Sequence, residues 1–263
     1  MRRREFIKAV GLGCMGCFCN PLEVLADNSS KGIVARGVSG LSGRTYDTIK
    51  LLKKYDAQAQ ARREMYLPVF GEAKVDSILD EMRGSYEELI PNIPFIGEHN
   101  YHLQWFIPNA EKLAEYIVAR KYDVSVKDFS TMYIDKTKKD LYAMPENTRL
   151  MIGKMQFGPV SQMQQKFAAF KSQLKLYPDD YILTYIKGDG ETFDYGLDYT
   201  QCASDKLYKQ YDAMDMLINL ICNMDYLAGE AFHSGYSRTM SIPTGYPKCD
   251  LRWKLGVVNP IPA

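Results

Sequence analysis

The character of the chain changes at Tyr181. Before it, from Tyr46 to Leu176, apolar residues recur mostly three and four positions apart; from Tyr181 to Lys187 they become a dense run of aromatic and β-branched side chains that reads as a strand. Gly188, Asp189 and Gly190 supply a turn, and a second strand is expected from Thr192 to about Gln201. A long helical region, Ser204 to Phe232, follows. Two further short strands, Tyr236 to Ile242 and Lys248 to Leu255, are joined across Pro243, Thr244 and Gly245. This order predicts an α+β fold: a helical N-terminal half packed with a C-terminal antiparallel sheet, in which two hairpins flank a long helix.

Within the helical half, amphipathic spacing predicts helices over 46–66 and 69–89, divided by Pro68. Pro91 and Pro94 close that region. The segment holding His99, His102 and Trp105 is expected to run as a loop to Pro108, with Asn109 capping a helix from Ala110 to Tyr122. Val126 to Leu141 and Val160 to Leu176 read as further helices, separated by a loop at Pro145.

Arg3, Arg4, Glu5, Phe6, Ile7 and Lys8 match the twin-arginine export pattern RR-x-F-x-K. An apolar stretch from Ala9 to Phe18, too short for a stable membrane-spanning helix, and the small-residue site at Val24, Leu25 and Ala26 complete the expectation of a signal peptide over 1–26. The competing reading is a basic N-terminal helix kept in a cytoplasmic protein. Cys14, Cys17 and Cys19 lie inside the leader, where a small hydrophobe is all that is required, although Cys17 could accept a lipid anchor. A Ser- and Gly-rich connector, 27–43, then leads into a single α+β domain over 44–263. The expected setting is periplasmic or otherwise exported, with the twin-arginine machinery as a partner and no transmembrane span in the mature chain.

Composition narrows the function classes. Hydrophobic residues at 46% and charged residues at 25% exclude a disordered chain and a polytopic membrane protein. A net charge of +1 leaves no electrostatic footprint for nucleic acid. The 19 tyrosines suit a core rim or a pocket supplied with hydroxyl donors.

Cys202, Cys222 and Cys249 fall at the joints of the C-terminal unit, and an odd number in an oxidising compartment leaves at least one thiol free. On a helix Cys222 and Asp225 share a face with Asn219, so an amide, a thiol and a carboxylate stand together. Asp250 adjoins Cys249 on a strand, and the two therefore point to opposite faces. His233 follows directly on the helix, where a histidine commonly just meets the terminal carbonyls. His99 and His102, with Glu98, read first as surface loop. The three cysteines, with Asp225 or His233, could hold a zinc-like divalent metal, although they lack paired C-x-x-C spacing.

The end of the chain carries recognisable text. Arg238, Thr239, Gly245, Cys249, Asp250, Leu251 and Arg252 form RT-x5-G-x3-CDLR, which resembles the RT…G…CDFR pattern of the L-2-amino-thiazoline-4-carboxylic acid hydrolase family. Tyr199 to Ala203 is similar to that family's strand-ending ECA segment, with Gln201 in place of the acid, and Cys222 to Tyr226 is similar to its C-x-x-D-Y segment. The likeness is concentrated between Phe193 and Lys254.

The resemblance implies hydrolytic opening of a small cyclic amidine that carries a carboxylate. Arg238 or Arg252 would anchor the carboxylate through paired hydrogen bonds, with Thr239 as a supplementary donor. Asp225 or Asp250 would take a proton from water, His233 would return it to the leaving group, and Cys222 offers an alternative covalent route. A second class of function stays open: an exported, non-catalytic sensor using the same cavity for a metal, a tetrapyrrole or another small ligand. A third is an inert structural domain. The enzyme reading requires a pocket in which a guanidinium faces Cys222 and Asp225.

Overall fold

The computed structural model describes residues 44–261; the leader and the connector lie outside them. Helices α1 (Thr48–Asp56), α2 (Ala59–Phe70), α3 (Val75–Leu89), α4 (Leu103–Ala119), α5 (Val126–Tyr142), α6 (Glu146–Gln156) and α7 (Pro159–Ser172) form the N-terminal part. Strands β1 (Ile182–Lys187) and β2 (Tyr195–Gln201) follow, then α8 (Ala203–Gln210), α9 (Met214–Asn219) and α10 (Met224–Phe232), and finally β3 (Ser237–Arg238) and β4 (Cys249–Trp253). The fold is α+β, with a helical N-terminal half and one antiparallel sheet in the order β1-β2-β4-β3.

Several boundaries differ from the sequence expectation, each for a physical reason. Pro68 does not divide two helices. It sits inside α2, and the chain breaks instead at Ala57–Gln58 and at Gly71, whose φ of 73° no other residue type adopts without strain. Pro108 likewise lies inside α4, just past the first turn, so one intrahelical bond is lost while Phe106, Ile107 and Ala110 are buried around it. The His102 segment is thereby the start of a helix rather than a loop. Helix α6 occupies the stretch read as a loop after Pro145; its buried side is narrow because Gly153 lies flat against the carbonyl of Phe232, which a Cβ would meet at 1.9 Å.

The long helix expected over 204–232 is broken. Asp212 takes a φ of 50°, Leu220 a ψ of −68°, and a 3-10 turn over Ile221–Asn223 links α9 to α10. The second hairpin is also shorter than expected, since β3 has two residues and pairs Ser237 with Arg252 and Arg238 with Leu251.

The helical half is tied together by a buried charge cluster. Arg62 of α2 donates to Glu115 (2.6 Å) and Glu111 (2.8 Å) of α4, and its guanidinium lies 3.5 Å from the Tyr55 ring centroid. Tyr66 and Tyr133 both donate to the second oxygen of Glu115. Such a cluster is costly to desolvate and worse to half-dismantle, because each remaining charge would be stranded away from water.

Candidate functional site

Strand alternation builds the floor of a cavity. On β2, Tyr195, Leu197 and Tyr199 point to one side; on β4, Cys249, Leu251 and Trp253 point to the same side; and the register sets them opposite one another as Tyr195 with Trp253, Leu197 with Leu251 and Tyr199 with Cys249. Tyr195 and Trp253 stack at 4.9 Å. The start of α4 supplies one wall through Tyr101, His102 and Trp105, the α6 and α7 pair a second through Gln156 and Gln165, and the broken helical region a third through Ile221, Cys222 and Asp225. Arg238 of β3 and Cys202, which N-caps α8, complete the lining. The cavity, about 170 Å³ in volume, opens to solvent on one side.

Electrostatics divide the lining into distinct roles. Burial pushes the Asp225 carboxyl up to about 6, while the nearby Arg238 guanidinium and the Tyr236 hydroxyl pull the other way. The Cys222 thiol is pushed up to about 11, again by burial, with Arg238 opposing. Cys202 and Cys249 are raised by burial as well; the first accepts a hydrogen bond from the Asp205 amide at 3.4 Å and the second from the Ile242 amide at 3.2 Å. All three cysteines are free thiols, and none has the depressed pKa of an activated nucleophile. His102 is held neutral, since burial lowers it to about 3; its Nε2 meets the Tyr199 hydroxyl at 3.1 Å and its ring stacks on Tyr181 at 4.4 Å.

Of the residues singled out from sequence, Cys202, Cys222, Cys249, Asp225 and Arg238 all meet at this cavity. Asp250, Thr239, Arg252 and His233 do not line it. Asp250 faces away from the cavity, as expected for the residue after Cys249, and its carboxylate accepts from the amides of Thr239 (2.8 Å) and Met240 (2.5 Å) and from the Thr239 hydroxyl. Burial works against its charge, but these donors win and hold the carboxyl below its ordinary value. Asp250 and Thr239 therefore fasten the exit of β3, the strand that carries Arg238. Arg252 is on the outer sheet face, 2.8 Å from Asp198 and over the Phe193 ring. His233 ends α10 in the left-handed region, with a φ of 53°, and its carbonyl accepts from Gly256. Asn219 does not share the Cys222 face, because the 3-10 turn rotates it outward to bond the Asp215 carbonyl.

The three thiols line one cavity without being grouped as a ligand set. Among the described residues, no group of three or more His, Cys, Asp or Glu side chains is placed to hold a metal ion, which corrects the zinc-like expectation for Cys202, Cys222 and Cys249.

The structure adds residues that sequence reasoning passed over. His102, read from the sequence as surface loop, is the clearest, and its signal lay in the aromatic residues on either side of it, Tyr101 in the turn before α4 and Trp105 in its first turn. Gln165 is another. Its amide nitrogen reaches Ser161 at 3.4 Å, while its Oε1 is buried at the cavity with no hydrogen-bond partner among the described residues. No family model matches the chain, and no curated protein or solved structure matches it either.

Proposed function

We propose that the protein is a hydrolase that adds water to a small cyclic amidine bearing a carboxylate, of the 2-amino-thiazoline-4-carboxylate kind. The observation that carries this reading is the meeting of Arg238, Asp225 and Cys222 at one compact cavity. Its volume of about 170 Å³ lies below the range of about 300–1,000 Å³ usual for drug-sized ligands and suits a single small heterocycle.

Arg238 is the carboxylate anchor, since the other candidate guanidinium, on Arg252, is on the outer face of the sheet. The orphaned Oε1 of Gln165 is a fitting acceptor for an amidine N–H. Tyr195 and Trp253, stacked on each other, give the heterocycle an apolar aromatic floor. Above pH 6 Asp225 is a carboxylate and accepts a proton as water oxygen bonds to the amidine carbon. The C=N π pair of the amidinium moves onto its nitrogen as this C–O bond forms; the tetrahedral centre then expels one ring heteroatom, which takes the proton held on Asp225, and the remaining hydroxyl closes to a carbonyl and gives its proton to the freed carboxylate. His233 is not among the lining residues and takes no part in this return. A raised thiol at Cys222 makes attack by sulfur the poorer route.

The aromatic lining also fits a second reading, a non-catalytic receptor for a flat ligand. Turnover of 2-amino-thiazoline-4-carboxylate by the purified protein decides between them. Asp225→Asn is expected to lower kcat by about 10²–10⁴-fold, and Arg238→Gln to raise KM about tenfold or more. Arg252→Gln should leave KM unchanged. Full activity in Asp225→Asn, or no turnover by the unaltered protein, would sink the hydrolytic reading; loss of activity in Cys222→Ser with Asp225→Asn still active would move the chemistry to the thiol.

A further inference from the structure

Helix α7 is built with two contrasting sides. Ser161, Gln165, Ala168, Ala169 and Ser172 are buried, and the helix packs along β1. The opposite side leaves large apolar residues in the open: Val160 is 56% exposed, Met163 64%, Phe167 62% and Phe170 65%, and Leu174 just beyond the helix is 54%. At about 100° per residue the four helical members fall within about 80° of arc, so they form one continuous stripe. Isolated exposed hydrophobes are ordinary; two phenylalanines, a methionine and a valine in line are not.

The charges around the stripe say what covers it. Lys166 and Lys171 lie on its two flanks, with Lys154 before it and Lys175 after it, and all four are exposed. From Asn147 to Pro178 the chain contains no Asp or Glu. An apolar stripe edged by lysines and free of acidic residues is complementary to a surface that is anionic at its boundary and hydrocarbon below, and we infer that α7 docks in the plane of an anionic lipid bilayer, with Phe167 and Phe170 inserted and the lysines at the phosphate level. A second copy of the chain is the poorer occupant, because a two-fold contact would bring the lysine rows against each other. The residues before 44 are poorer too, since they carry Arg2, Arg3, Arg4, Lys8, Lys31 and Arg36 against Glu5, Glu23 and Asp27. No described helix is long and apolar enough to cross a membrane, so the contact is peripheral. The site chemistry proposed above plays no part in this inference.

The test is co-sedimentation of the full chain with phosphatidylcholine vesicles, with and without phosphatidylglycerol, at low and high salt. The full chain should bind the phosphatidylglycerol vesicles preferentially and release them as salt rises. Phe167→Glu with Phe170→Glu should weaken binding by about tenfold or more, and Lys166→Gln with Lys171→Gln by about fivefold or more, while both variants keep the parent melting temperature because the altered residues are exposed. Undiminished binding by the two variants would place any membrane contact elsewhere in the chain and overturn the inference. So would equal binding to vesicles lacking phosphatidylglycerol, or a dimer in light scattering that the phenylalanine variants dissolve.

Discussion

Asp225 joins the chemistry of the site to the stability of the fold. Its carboxyl is raised to about 6 by burial, above the ordinary aspartate value of 3.8 that it takes up in the unfolded chain. The folded protein thus holds this proton more tightly than the unfolded chain does, and the associated stability is fully present below pH 3.8 and lost as pH rises through about 6. Activity should run the opposite way and climb through pH 6 as the base is freed. Asp225→Asn is therefore expected to melt later than the parent at pH 8, by on the order of 2 kcal/mol of added stability, while the proposed activity falls. Thermal melts across the pH range check this; a variant that melts earlier at pH 8 would mean that Asp225 holds the site together instead of straining it. How much of this site is legible in the sequence depends on the residue. Cys249 and Asp250 sort themselves onto opposite faces by strand alternation alone, and Arg238 is named by its place in the RT text. The choice between Arg238 and Arg252 is not legible, because it turns on Asp198, a cross-strand partner far away in the chain. Neither is His102, whose partners Tyr181, just before β1, and Tyr199, on β2, are far away in the chain.

At the scale of elements, prolines mislead and glycines decide. Pro68 and Pro108 are absorbed inside helices because tertiary burial outweighs a single lost hydrogen bond. Helix α6 escapes a reading by periodicity for the converse reason: its closest contact is made through Gly153, a residue with no side chain to signal it. That contact admits no Cβ, so Gly153→Ala must push α6 away from the end of α10, at a cost of at least about 2 kcal/mol in denaturant melts. A neutral result would show that the two helices slide past one another freely. Because α6 also carries Gln156 into the lining, the same substitution should loosen the cavity wall. The broken stretch between α8 and α10 is equally hard to foresee. Its apolar residues keep helical spacing throughout, and only the backbone turns at Asp212 and Leu220 aim Cys222 and Asp225 inward.

For the whole molecule, the α+β class follows from the order of patterns along the chain, whereas the strand order does not. The helical half depends on Arg62, which is 7% exposed and shared between two buried glutamates. Arg62→Met should cost about 3–5 kcal/mol, read as a lowered urea midpoint; a loss under 1 kcal/mol would mean that Glu111, already raised to about 6 by burial, simply takes up a proton. The sheet has a different consequence. β4 pairs with β2 across a long reach of sequence, and those cross-strand pairs are themselves the cavity floor. A partly folded chain, even one with its first hairpin closed, offers a small molecule nothing to hold. Occupancy is then coupled to cooperative unfolding of the entire assembly, so a simple melting screen of candidate metabolites would register a true ligand before any reaction product had been identified.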